Sequence, residues 1–213
     1  MSHSEFWLDG AQGVRLYGQI WLPSKHPTSF VGIVHGFGEH SGRYGKLTQG
    51  MLANDVGVAA FDLRGHGRSG GPRGHVRSWN EYLIDLGEFV RTIGSRFPDS
   101  PIFLFGHSLG SLIVADYALS KPEGLSGVVL SSLGIEPAGA AGPVLVAVAK
   151  LLSGVAPRFR APLSIDSRAL SRDLEEVKSY EADPLVHHVG TARWGTESLK
   201  AIKKLKTSER RLA

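Results

Sequence analysis

At residues 105–111 the chain reads FGHSLGS, which places Ser108 between Gly106 and Gly110 directly after an apolar run. A hydroxyl becomes a useful nucleophile only when a base takes its proton and fixed donors receive the charge that develops on the attacked oxygen. Gly-x-Ser-x-Gly alone is a weak signal, so its context decides. Between a strand and a helix, a tight turn lifts the serine out of the sheet, and the two glycines omit side chains that would clash there. This context predicts Ser108 as a nucleophile and the amide of Leu109, at the start of the following helix, as one donor. The second donor is expected from HGFG at 35–38, where the backbone can bend so that the Phe37 amide points at the same place. His35, Gly36, Gly106, His107 and Gly110 are the expected supports of the two turns.

The elements that must hold these residues follow from hydrophobic patterning. EFWL and VRLYGQIWLP, separated by DGAQG, read as an antiparallel hairpin. Apolar strands are then predicted at 30–36, 56–62, 101–107 and 125–131, with helices over about 44–54, 79–97 and 108–120. Short, continuously apolar strands alternating with helices imply a mostly parallel sheet covered on both faces. From residue 133 the rhythm changes to Gly, Ala and Pro and then to an apolar run, and 133–205 reads as helices and loops without a further strand. The expected organisation is a core at 1–132, a helical cap at 133–200 and a basic tail at 201–213, with no internal repeat.

Composition narrows the function classes. In 213 residues, 42% hydrophobic and 21% charged, there is material for one sizeable core and no bias toward disorder. The net charge of +4 is spread out until the C-terminal stretch, so no nucleic-acid partner is expected. Absence of cysteine excludes disulfides and thiolate zinc sites and fits a reducing compartment. MSHSEFWLDGAQG carries neither a basic leader nor an apolar core of a secretion signal, and the longest apolar stretch is too short for a membrane span. A cytoplasmic chain, at most touching a membrane, is the expectation.

Three segments at strand ends, HGFGEHSGRY (35–44), FDLRGHGRSGGPRG (61–74) and FGHSLGS, together with IDSRALSRDLEEVKSYEADPLVHH (165–188), resemble the monoacylglycerol lipase and lysophospholipase branch of the α/β-hydrolases, the serine aminopeptidase-like group. The resemblance implies an α/β-hydrolase fold with a cap and a serine esterase acting on glycerides or related lipid esters, without a cofactor. Phe37 stands where such proteins often carry a smaller residue, which would reshape the acyl pocket. The family order of a triad is Ser, then the acid, then His. By resemblance both partners of Ser108 belong to strands beyond the cap, and neither has a match before Ala213. On this reading the sequence is cut short, LSGVVLS becomes a sheet edge, and residues 1–213 alone dissolve poorly and hydrolyse esters feebly.

None of the nine histidines is an evident substitute. His187 or His188, preceded by Asp166, Asp173 or Asp183, would satisfy the chain order, yet the resemblance places all five in the cap, far from a base's position. Asp62 ends a strand but precedes Ser108, and its expected part is to hold the RGHG loop through backbone amides. His35, His40, His66 and His75 lack metal-ligand spacing, so no metal is expected. No GxGxxG follows the first parallel strand, which argues against a dinucleotide, and Ser at 108 argues against epoxide-hydrolase chemistry. PVLVAVAKLL, at the start of the cap, suits either burial on the sheet or contact with lipid. In the tail, Leu199, Ile202 and Leu205 fall at helical spacing. Two readings follow: a lipid esterase with an acyl-serine intermediate, and a non-catalytic relative that binds an acyl ligand or a protein in the same pocket.

Overall fold

In the computed structural model, which describes residues 1–135, 143–163 and 166–208, the hairpin comes first. Strands β1 (Ser2–Asp9) and β2 (Arg15–Leu22) pair antiparallel around a turn in which Gln12 and Gly13 both take positive φ. Strands β3 (Ser29–Val34), β4 (Val56–Phe61), β5 (Ile102–His107) and β6 (Leu125–Ser131) alternate with helices α1 (Gly45–Leu52), α2 (Asn80–Arg96) and α3 (Leu109–Ala118). The sheet order is β1-β2-β4-β3-β5-β6, with β4, β3, β5 and β6 mutually parallel and β2 antiparallel to β4. The predicted elements therefore recur with their ends shifted by at most three residues, the largest shift being at the start of β1.

Alternation along the strands assigns the two faces. Phe30 and Val34 of β3, Ala59 and Phe61 of β4 and Leu104 of β5 enter the larger core with α2 and α3. Ile33, Val58 and Ala60 face the other way, where Tyr44, Leu47, Met51 and Phe105 cover them. Such two-sided burial is what a parallel sheet requires. Among the described residues β6 has a neighbour only in β5, and Val129 is 56% exposed.

One buried ion cluster ties the hairpin to α2. Arg64 meets Asp85 through both Nε and Nη2, at 2.6 and 2.7 Å, reaches Glu81 at 3.1 Å and donates to the Ala11 carbonyl, while Asp85 accepts the Ala11 amide at 2.8 Å. Burial pushes the Asp85 carboxyl upward, and the bidentate guanidinium opposes that shift.

The cap contains helices α4 (Pro143–Val155) and α5 (Leu174–Ala182) and, contrary to the expectation of no further strand, a two-stranded ribbon. Strands β7 (Arg160–Pro162) and β8 (Val189–Thr191) pair antiparallel. Three residues with a proline give no alternation to read, so this pairing has no sequence signature. Helix α6 (Ala192–Ser208) then runs unbroken across residue 200, and Ala201 and Leu205 are buried in the main core. The predicted apolar spacing in this helix is thus a packed face. Residues 136–142 of the expected cap and 209–213 of the expected tail lie outside the described residues.

Candidate active site

Ser108 is held at φ 51°, ψ −114°, between the end of β5 and the first turn of α3. A residue with a Cβ takes a left-handed φ only where its surroundings enforce it. The enforcement is visible. A Cβ on Gly106 would lie 2.6 Å from the Gly110 carbonyl oxygen, and one on Gly110 would lie 2.0 Å from that of Val34. α3 therefore approaches β3 through bare backbone, and Leu109 brings one of the amides that a helix N-terminus leaves unpaired. Ser111 Oγ donates to the Ser108 carbonyl at 2.5 Å, and the Ser108 amide donates to Ser131 at 3.0 Å, which closes the turn from both sides.

The loop after β3 is fixed by side chains on either side of one peptide. The buried His35 ring accepts the Leu63 amide at Nε2, 2.9 Å, so its proton sits on Nδ1, which donates to the Gly36 carbonyl at 2.7 Å. Burial holds this imidazole below its ordinary pKa, in the neutral form. In a trans peptide the carbonyl and the next N–H point in opposite directions. Anchoring the Gly36 oxygen therefore aims the Phe37 amide away from His35. The Gly36 amide donates to Glu39 Oε1 at 2.6 Å, and that oxygen also accepts the Tyr44 hydroxyl at 2.7 Å. A Cβ on Gly36 would come within 3.3 Å of Ser108 Cβ, so the two loops touch.

Between core and cap lies a groove of about 380 Å³. Phe37, Glu39, Arg43, Tyr44, His107 and Ser108 line it from the core; Leu170, Val177 and Tyr180 line it from the cap, with Ser167, Ser171 and Glu176. A second hollow, of about 410 Å³, lies among α2, α3 and α6 and has no part in this arrangement.

The predicted residues at 35–37 and 106–110 come together at the carboxyl ends of β3 and β5, where open α/β sheets place ligands. The other candidates go elsewhere. Asp62 accepts the Ser41 and Arg68 amides at 2.8 and 2.7 Å and so holds two loops at once. His107 Nδ1 contacts Ser131 Oγ at 3.1 Å. His40 pairs with Asp183 and His75 with Thr191, whereas Asp166 and Asp173 cap helical turns. Among the described residues no side chain hydrogen-bonds Ser108 Oγ. His187 stays in the cap and does not line the groove, yet it reaches the loop that carries Phe37. Its ring lies 5.4 Å from that of Phe37 and 4.7 Å from that of His66, because the cap folds back over the loop after β3. Glu39, Arg43 and Tyr44 lay inside the quoted HGFGEHSGRY segment without being singled out; a carboxylate three residues after Gly36 was the available signal.

Comparison with known proteins places this geometry in a lineage. The sequence profile described as serine aminopeptidase, S33 matches residues 25–213. A monoacylglycerol lipase of Mycolicibacterium smegmatis is 40% identical over 187 residues, covering 88% of this chain and 66% of that protein. A monoglyceride lipase of Rattus norvegicus is 37% identical over 207 residues, 96% of this chain and 68% of that protein. The crystal structure of the Paleococcus ferrophilus monoacylglycerol lipase superposes with a TM-score of 0.81 at 36% identity, covering 92% of this chain and 73% of the other. This chain thus spans about two thirds of the length of the curated relatives it matches. On the match over residues 25–213 and the identities of these relatives, the chain belongs to the serine aminopeptidase S33 family of α/β-hydrolases.

Proposed function

We propose that this chain carries the nucleophile and the oxyanion donors of a lipid esterase that cleaves monoacylglycerol or lysophospholipid esters through an acyl-serine. Ser108 Oγ attacks the ester carbonyl carbon while its proton passes to a base. The tetrahedral oxygen is received by the amides of Phe37 and Leu109, and collapse expels the alcohol with a proton. Water then cleaves the acyl-serine by the same steps in reverse role. The single observation that carries this reading is Ser108, strained and partly exposed, in one groove with Phe37. The base is not assigned to any of the nine histidines.

The lining of the groove supports a hydroxylated alcohol portion. Glu39, Tyr44, Ser167 and Ser171 offer hydrogen bonds, whereas Arg43 is engaged by Glu39 at 3.9 Å and by Asp183 at 3.7 Å. Leu170 and Val177 supply apolar surface for the acyl portion. Contact of the cap with lipid belongs to the same proposal, for a cytoplasmic chain. Val148, Leu151, Val155, Phe159, Leu170 and Leu174 are 46–75% exposed on the cap, and the described helices include none long and apolar enough to cross a membrane.

The test is hydrolysis of a monoacylglycerol and of p-nitrophenyl butyrate by the 213-residue chain and its Ser108→Ala variant. Turnover that the substitution abolishes supports the esterase. Residual turnover of wild type without a paired base can still exceed water by on the order of a thousandfold, through donors and binding alone. Equal rates for both proteins leave the second reading, an acyl-ligand binder, for this chain.

A further inference from the structure

The cap segment 183–191 lies across the loop that carries Phe37, and it is fitted there by glycines. The His187 amide donates to the Gly38 carbonyl at 2.8 Å, and Gly38, at φ 77°, has no room for a side chain: a Cβ would stand 2.3 Å from the His187 oxygen. At the other end of the segment the Thr191 amide donates to the Gly74 carbonyl at 3.0 Å, and a Cβ on Gly74 would stand 1.9 Å from the Val189 oxygen. Two core loops thus dispense with side chains to admit one strip of cap backbone. Polar contacts fasten its start, where Asp183 meets His40 at 2.8 Å and Arg43 at 3.7 Å.

The strip also closes around the Phe37 ring. His187 lies 5.4 Å from it and Trp194 4.2 Å, and buried His66 completes the enclosure at 5.4 Å. On its N-terminal side the Phe37 peptide is fixed by His35 and Glu39 and its ring packs on the main core; on its C-terminal side the main-chain hydrogen bond is the one that Gly38 accepts from His187. We propose, building on the esterase reading, that His187 is a positioning residue: segment 183–191 is a fixed strap that holds Phe37 so that its amide faces Ser108.

Hydrogen exchange on the whole chain, comparing wild type with His187→Ala and His187→Phe, tests the strap independently of turnover. The expected result is that the His187 and Thr191 amides of the wild type exchange as slowly as those of β3. In His187→Ala the Phe37 and Gly38 amides speed up at least about tenfold, and phenylalanine restores them. Where Ser108-dependent turnover is present, His187→Ala lowers kcat about 10- to 100-fold, since a displacement of about 1 Å at a reacting group can cost 10²-fold. KM stays within about twofold, and phenylalanine recovers most of the loss. Unchanged exchange at Phe37 and Gly38 in His187→Ala overturns the proposal, as does a strap that exchanges much faster than β3. Absence of Ser108-dependent turnover bears on the esterase reading alone, and exchange then decides the strap.

Discussion

Glycine at 110 and glycine at 36 both lie beside Ser108, but they answer to different neighbours. The missing Cβ of Gly110 would overlap the backbone oxygens of Val34 and His35, at 2.0 and 2.6 Å, neither of which can rotate away. Gly36 faces a carboxylate oxygen of Glu39 at 2.7 Å, the far end of a flexible side chain. Gly110→Ala is therefore expected to destabilise by about 3 kcal/mol or more, at or above the upper end of overpacking costs. Gly36→Ala should unfold near the wild-type midpoint and lose its activity instead, because Glu39 must release the loop that presents Phe37. Urea titrations of the two variants, read beside ester hydrolysis, check this contrast; equal midpoints would contradict it.

Elements are joined here by charge as well as by apolar faces. Arg64 links the turn of the first hairpin, through the Ala11 carbonyl, to Glu81 and Asp85 on α2. Removing one member of such a buried group leaves uncompensated charge and typically costs about 3–5 kcal/mol. Arg64→Ala should lower the unfolding midpoint accordingly, with the amides of β1 and β2 losing protection before those of β5. Trp79 makes the corresponding link between α2, α3 and α6, its amide donating to Glu197 and its indole to Asp116, each at 2.9 Å. Through such bonds α6 is tied to the core by polar contacts that its Leu199, Ile202 and Leu205 spacing did not reveal.

The molecule as a whole is sensitive to acid at the junction of core and cap. Burial, with Arg73 beside it, lowers the His187 pKa to about 4, and burial also holds His35 and His66 below the ordinary value. Arg73 is the charged neighbour of the His187 ring, so the proton it would gain adds to positive charge. A histidine whose folded pKa is depressed leaves the unfolded chain binding more protons between its ordinary value of 6.5 and about 4, so stability declines as pH falls through that window. Asp183, held low by hydrogen bonds from His40 and Leu185, contributes stability that is lost at still lower pH, in the same direction. The thermal midpoint should therefore fall between pH 6.5 and 4, and His187→Phe should flatten part of the decline. At the same scale, the exposed apolar side chains of the cap predict sedimentation with phosphatidylcholine vesicles that Leu151→Ser with Val155→Ser weakens. Binding unaffected by that pair would place the lipid contact elsewhere.

The amino-acid sequence by itself determined the hairpin, the alternation of four parallel strands with three helices, and the strand-turn-helix around Ser108. These depend on neighbours within a few residues: apolar runs that must be buried, and glycines that leave a bend uncrowded. Membership of the α/β-hydrolase family was legible for the same reason, since its motifs are contiguous. Tertiary structure alone decided the β7–β8 ribbon, the docking of α6 and the placement of His187 beside Phe37. Each of these joins segments far apart in the chain through main-chain hydrogen bonds and ring contacts, which carry no periodic signature. The backbone closeness of Gly38 and Gly74 to the cap exists only once the whole chain has closed, because a glycine marks where a neighbour can come near and not which neighbour comes.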